Sequence, residues 1–302
     1  MENKFIRISS ISKFHQLSNL SKPKHPLISL INLNEVVALD FESPISIILD
    51  FYTISLKKCI SNKIKYGQKD YDFDEGVMAF LEPGQVISTT DKDNKAEGWW
   101  LIFHPDFIRQ YPLAKQIKEY GFFSYSVNEA LHLSEKEENM IELIFKNIEE
   151  EYNTSIDRFS QDVMISQLEL LLNYSNRFYN RQFITRKNSN NDLLIRLKDL
   201  LDHYFRENLV LEKGLPTVQY LADSLNISPN YLSDMLRNST GQNTQQHIHE
   251  KIIELAKDML TSTNLSVSEI AFKLGFEYPQ SFSKLFKNKM NVTPNEFRLK
   301  FN

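Results

Sequence analysis

The spacing of apolar residues changes character along the chain. Up to about residue 125 they come in short β-branched or aromatic runs, among them Ile45-Ser46-Ile47-Ile48-Leu49, Val77-Met78-Ala79-Phe80-Leu81 and Trp99-Trp100-Leu101-Ile102-Phe103. Turn chemistry such as Glu82-Pro83-Gly84 separates them, which predicts a compact unit of strands. Beyond it the period becomes helical. Ser134 and Glu137 have capping-box spacing, and Ile141, Ile144, Ile148 and Tyr152 follow on one helix face. A second amphipathic stretch carries Phe159, Val163, Leu168, Leu171, Leu172 and Phe178. The pattern allows two roles for these helices, about 134–179. Both can pack onto the strands, and the second can also pair with its copy in a dimer.

The breakers agree with this division. Of eight glycines, five lie between Gly67 and Gly121, and neither Gly nor Pro occurs from Phe122 to Lys213. A stretch that long without either breaker is built mainly from helices. The polar segment 181–191, with Arg181, Arg186, Lys187 and Asn188-Ser189-Asn190-Asn191, reads as a linker between units 1–180 and 192–302.

After a helix carrying Leu193, Leu194, Leu197, Leu200, Leu201, Tyr204 and Phe205, one pattern appears twice. Val218, Leu221, Ala222, Leu225 and Asn226 correspond to Val267, Ile270, Ala271, Leu274 and Gly275 at an offset of 49. Leu232, Ser233 and Leu236 correspond to Phe282, Ser283 and Phe286 at an offset of 50, so the second copy has one extra turn residue. Small Ala222 and Ala271 permit close helix approach. Asn226 and Gly275 stand where a helix must end in a left-handed residue, which only Asn and Gly adopt cheaply. Ser266 with Glu269 and Thr293 with Glu296 read as capping boxes, and Pro229 and Pro294 sit in first turns. Each copy is therefore a helix-turn-helix, about 217–241 and 266–290, and a linker helix of about 244–260 joins them. Its 17 residues from Thr244 would span about 25 Å.

Composition sets limits. The 302 residues are 25% charged and 41% hydrophobic with a net charge of −4, a composition of folded domains rather than disorder. Cys59 is the single cysteine, which excludes an intrachain disulfide framework. No apolar run approaches the roughly 18 residues of a membrane span, and the start lacks the apolar core of a signal peptide. The expectation is a soluble, cytoplasmic protein with no membrane partner.

The region 192–302 resembles the paired helix-turn-helix domain of the AraC/XylS transcription regulators. The resemblance rests on Ser268-Glu269-Ile270-Ala271, Leu274-Gly275-Phe276, Gln280 to Lys287, and Val292-Thr293-Pro294 with Phe297-Arg298. It covers about a third of the chain, and the whole chain resembles the full-length, effector-domain members. The resemblance implies an α+β, multidomain protein. An N-terminal cupin-like β-barrel with two dimerisation helices would precede an all-α domain of two helix-turn-helix units joined by a linker helix. It also implies a homodimer that binds double-stranded DNA and answers to a small-molecule effector, with RNA polymerase as a further partner of an activator.

Carried over by position, the base-facing sites fall on Asn230, Ser233 and Asp234 in the first recognition helix and on Pro279, Gln280, Ser281 and Lys284 in the second. Gln280 suits adenine and Lys284 suits guanine, whereas Asp234 can only accept from cytosine and repels phosphate. The second helix is thus expected to carry more of the affinity. Arg237 and Lys287, one turn on, suit phosphate contacts. Ile252 stands where many relatives have Arg, so a polar contact from the linker helix is not carried over. Residues 191–302 hold 13 Lys/Arg and 13 Asp/Glu, yet 273–302 hold six cations (Lys273, Lys284, Lys287, Lys289, Arg298, Lys300) against Glu277 and Glu296. That local excess is an electrostatic footprint for DNA.

Enzymatic chemistry finds little support. His15, His25, His104 and His132 lack a His-x-His pair followed by a spaced Glu and read as structural or surface histidines. Cys59, beside Lys57 and Lys58, reads as a half-buried strand cysteine, and no phosphate loop or nucleophile elbow occurs. No metal or cofactor is expected. Phe73, Phe80, Trp99, Trp100 and Phe103 can line a pocket or fill a core equally well. The sequence thus points to a DNA-binding transcription regulator, an activator by expectation. The alternatives are an N-terminal unit used only for dimerisation or protein contacts, a cupin-type enzyme fused to a DNA-binding module, and a helical scaffold.

Overall fold

A computed structural model describes residues 5–35, 45–58, 64–66, 69–71, 76–89, 97–155 and 157–300. Cys59 and Phe73 lie outside the described residues. The chain divides into two units, Met1–Gln182 and Phe183–Asn302, each taken by itself below.

The first unit contains strands β1 (Phe5–Ile8), β2 (Ile28–Asn32), β3 (Ile45–Leu49), β4 (Tyr52–Lys58), β5 (Ile64–Tyr66), β6 (Lys69–Tyr71), β7 (Val77–Leu81), β8 (Val86–Thr89), β9 (Glu97–Phe103) and β10 (Leu131–His132). Helix α1 (Ile11–Leu17) follows β1, and short helices α2 (Pro105–Ile108) and α3 (Leu113–Gln116) follow β9. Helices α4 (Glu135–Asn153) and α5 (Ser160–Thr185) come last. The strands form a five-stranded antiparallel sheet ordered β10-β7-β4-β9-β2, a three-stranded sheet ordered β1-β3-β8, and a β5-β6 hairpin. Closure into a barrel is not among the strand pairings of the described residues. Gly84, at φ 91°, supplies the left-handed turn between β7 and β8.

Both faces of the five-stranded sheet are covered. On one face, Ile54 lies opposite Leu101 and Leu56 opposite Trp99 in the β4-β9 register. The Trp99 ring stacks on Phe145 of α4 at 6.4 Å, and Phe80 packs on Phe122 at 4.5 Å and on Tyr179 of α5 at 6.1 Å. On the other face, Ile31 and Ile102 join Ile8, Ile47, Leu49 and Phe51, with Ile11 and Phe14 from α1, in one buried cluster. A strand covered on both sides needs no polar alternation, which accounts for the unbroken apolar run in β9. His15 is buried in this layer: Nδ1 donates to the Ser21 carbonyl at 2.6 Å and Nε2 meets the Ser29 hydroxyl at 2.9 Å. Burial pushes its pKa down, so it is a neutral structural histidine near neutral pH.

Helix α4 begins as its sequence predicts, with the Ser134 N–H donating to Glu137 at 2.9 Å. It buries Ile141, Ile144, Phe145 and Ile148 on the sheet side. On α5, Leu168, Leu171, Leu172 and Phe178 are buried, but Val163, and Phe159 just before the helix, are not. They lie opposite the stripe that Met164, Ile165 and Leu168 turn inward. The stretch 181–191, expected as a linker, is helical on both sides of Arg186. The Asn190 side chain donates to the Phe183 carbonyl at 2.6 Å, giving the end of α5 a partner that polar composition alone does not reveal.

The second unit contains α6 (Lys187–Arg206), α7 (Leu209–Lys213), α8 (Val218–Leu225), α9 (Pro229–Thr240), α10 (Thr244–Ser262), α11 (Val267–Lys273), α12 (Pro279–Met290) and α13 (Pro294–Leu299). Its core gathers Leu197 and Leu201 of α6, Leu221 and Leu225 of α8, Ile248, Ile252 and Ala256 of α10, and Ile270 and Ala271 of α11. Among the described residues, no helix is long and apolar enough to cross a membrane.

Candidate nucleic-acid interface

Both helix-turn-helix units are built as the repeat predicts. Helix α8 starts at Thr217, whose hydroxyl accepts from the Tyr220 N–H at 3.1 Å, and ends at Asn226 with φ 58° and ψ 44°. Ser228 then caps α9 by accepting from the Tyr231 N–H at 3.2 Å, with Pro229 in the first turn. In the second copy, Ser266 and Glu269 exchange bonds of 2.7 and 3.2 Å at the start of α11. Gly275 follows at φ 87°, where an added Cβ would come within 3.0 Å of the Val210 side chain. Glycine is therefore required there for both backbone conformation and space. Thr293 and Glu296 close α13 in the same reciprocal way, at 2.7 and 3.2 Å. The Ser266 hydroxyl and N–H hold the Glu269 carboxyl below its ordinary range, and the Thr293 N–H and hydroxyl do the same for Glu296.

The outward face of α12 follows from what it buries. Phe282 and Phe286 are fully buried, with ring contacts of Phe276 to Phe282 at 5.5 Å, Phe282 to Phe286 at 5.8 Å and Phe286 to Phe297 at 5.5 Å. With that stripe inside, Gln280, Ser281, Lys284 and Lys287 stand exposed, and Pro279 is half-buried at the first turn. Gln280 and Lys284 have no side-chain partner among the described residues. Amide, hydroxyl and ammonium groups at these spacings can donate to base edges and phosphates.

Helix α9 presents a different surface. Asn230 is exposed. The Ser233 hydroxyl shares a hydrogen bond of 3.0 Å with Thr244, which is fully buried at the first turn of α10. Ser233 thus tethers the recognition helix to the linker helix, a role its position in the repeat does not reveal. The Arg237 guanidinium pairs with the Asp234 carboxylate at 2.7 Å, so the expected phosphate contact and the expected cytosine reader engage each other. Ile252 is fully buried and serves packing.

One of the six cations of residues 273–302 is engaged within the domain. Arg298 donates to the carbonyls of Leu260 and Leu265 at 3.2 and 2.5 Å and so caps the end of α10. Burial pushes down the pKa of His247 and of His249, with Lys289 adding to the shift of the latter. Neither linker-helix histidine adds charge near neutral pH.

Comparison with known proteins gives the same region. A family profile described as a helix-turn-helix domain matches residues 221–300. The chain is 33% identical over 96 residues to the xylose operon regulatory protein of Escherichia coli K12, covering 32% of this chain and 24% of that protein. It is 28% identical over 150 residues to the transcriptional activator RhaS of Escherichia coli O1:K1, covering 50% of this chain and 49% of that protein. Among solved structures, the C-terminal domain of the response regulator YesN of Fusobacterium nucleatum is similar, at 32% identity and a TM-score of 0.30. That similarity covers 33% of this chain and 96% of that one. The chain therefore spans 24% of the length of the xylose regulator and 49% of RhaS. With the two helix-turn-helix units and the profile match, residues 221–300 are an AraC-type helix-turn-helix domain.

Proposed function

We propose that the protein is a sequence-specific DNA-binding transcription regulator that acts in the cytoplasm and whose two helix-turn-helix units read successive faces of the major groove. The observation that carries this reading is the outward face of α12, where Gln280, Ser281, Lys284 and Lys287 are exposed over a buried Phe282 and Phe286. The linker helix α10 is a stiff spacer, suited to recognition helices that enter the groove about 34 Å apart along the duplex. Asn230 and the Asp234–Arg237 pair make α9 the weaker reader, because the pair offers little net charge to phosphate. Relatives named as an operon regulator and a transcriptional activator support activation of transcription, with RNA polymerase as the further partner.

The first unit is proposed as a cupin-like sensor that dimerises through α5. Phe159, Val163 and Leu170 are 53%, 41% and 42% exposed, and their spacings of four and seven residues form one outward apolar stripe. One observation favours dimerisation alone for this unit. The crevice lined by Phe80, Phe122, Tyr125 and Tyr179 has room for no more than a water molecule. Titration with candidate small molecules under calorimetry separates the two roles.

Three outcomes are expected. Lys284→Ala should weaken binding to a selected site by about 1–3 kcal/mol and relax base preference there, as read by fluorescence anisotropy; unchanged affinity and preference remove Lys284 from the interface. Asp234→Asn should tighten binding to random duplex, because it removes a repelling carboxylate and releases Arg237 to phosphate. Weaker binding to random duplex would contradict that account of the pair. Leu170→Asp should raise the dimer dissociation constant at least tenfold, about 1.4 kcal/mol, in sedimentation equilibrium; an unchanged constant places the dimer interface elsewhere.

A further inference from the structure

The two recognition helices differ in the residue that opens them. At the offset of 50, Ser228 of the first copy corresponds to Tyr278 of the second. Ser228 is buried and caps α9. Tyr278 holds the same N-cap position on α12, but its side chain makes no cap bond to the helix and the residue is 59% exposed. A phenol there gives up the hydrogen bond that Ser, Thr, Asp or Asn would make to the first turn. The neighbouring helices α8, α9, α10, α11 and α13 all keep such a cap, from Thr217, Ser228, Asn243, Ser266 and Thr293. Tyr278 thus breaks a local rule that its surroundings obey, which is characteristic of functional positions.

The backbone nonetheless holds Tyr278 firmly. Pro279 follows it and confines the preceding residue to extended conformations, and Tyr278 has φ −126° and ψ 122°. Its carbonyl accepts from the Ser281 N–H at 3.0 Å. Its Cβ is therefore fixed relative to the exposed Gln280 and Ser281, and two side-chain torsions remain free. Among the described residues, the ring meets no other ring and the hydroxyl has no hydrogen-bond partner. The aromatic residues that flank it in sequence, Phe276 and Phe282, pack on each other at 5.5 Å and leave Tyr278 outside their cluster. A ring mounted in this way loses little freedom when a partner covers it.

We propose that Tyr278 is a specificity-determining residue of the second recognition helix, with its ring covering the C5 methyl of a thymine in the major groove. This assignment rests on the functional reading above. Residues at the N-terminal end of a recognition helix meet base edges, and in the major groove thymine alone among the four bases presents an apolar group. Gln280, Ser281 and Lys284 offer donors to the polar edges, and Tyr278 adds an apolar surface beside them. The phenol has no positive charge to attract phosphate, so the base and not the backbone is its partner. The first copy has no counterpart, because Ser228 is turned to its own helix.

The test uses the full-length protein and a duplex site selected with it, in which each thymine in turn is replaced by deoxyuridine, which lacks only the C5 methyl. Loss of one covered methyl corresponds to about fourfold in affinity. At one thymine, replacement should weaken binding by the unaltered protein about fourfold in fluorescence anisotropy, whereas Tyr278→Ala should bind the two duplexes equally. Tyr278→Phe, which keeps the ring, should keep the fourfold difference. Tyr278→Ser, which restores the cap of the first copy, should unfold at no lower temperature than the unaltered protein and lose the difference as the alanine variant does. A methyl effect of the same size in Tyr278→Ala, or none at any thymine, would overturn the assignment and leave the functional reading standing. Unfolding of Tyr278→Ser at a lower temperature would also overturn it, by giving the ring a packing role within the domain. If the unaltered protein selects no site, the functional reading falls and the assignment falls with it.

Discussion

The burial of Phe282 and Phe286 is the constraint on which the candidate interface depends. Each contributes roughly 1.5–3 kcal/mol by leaving water, and together they lock one stripe of α12 against Phe276 and Phe297. Once that stripe is inward, a helix leaves no choice about what faces out: Gln280, Ser281, Lys284 and Lys287. The rest of the second half serves the same placement. Gly275 lets the chain turn where a side chain would strike Val210, and Arg298 closes the end of α10. The chemistry of the outward face is thus a by-product of where the aromatic rings go.

The two recognition helices, alike in pattern, differ in how firmly their polar groups are held within the domain. On α9, Ser233 is tied to Thr244, Asp234 and Arg237 to each other, and Tyr231 lies against Phe183. On α12, Gln280 and Lys284 have no side-chain partner among the described residues. A helix with free donors gains contacts with DNA at little internal cost, whereas α9 must first break or share bonds it already has. This asymmetry suits a division in which α12 supplies the larger share of the affinity.

Much of the second unit was readable from the sequence because its signals are local. A cap, a left-handed Asn226 or Gly275, and a Phe stripe are each set by a few neighbouring residues, and the structure has all of them. The sequence is silent where tertiary partners decide. Ser233 has the same hydroxyl whether it faces a base or Thr244, and Arg298 counts as a surface cation until the carbonyls of Leu260 and Leu265 take it. Residues 181–191 are polar enough for a linker, yet Asn190 and Phe183 give them helical partners. In the first unit, runs such as Trp99 to Phe103 announced strands but not which layer covers each face, since a doubly covered strand loses its period of two. Phe159 and Val163 continue the apolar spacing of this stretch, so spacing alone does not separate them from the buried stripe they lie opposite.

Selection of bound fragments from a random duplex library by the full-length protein, at two salt concentrations, tests the central claim most directly. Phosphate contacts make total binding fall with salt, while a base-reading face keeps its sequence preference. The account predicts enrichment, at both concentrations, of a motif with two major-groove elements about one helical turn apart. Binding that falls with salt and enriches no motif would contradict it, since the α12 face would then meet phosphates without reading bases.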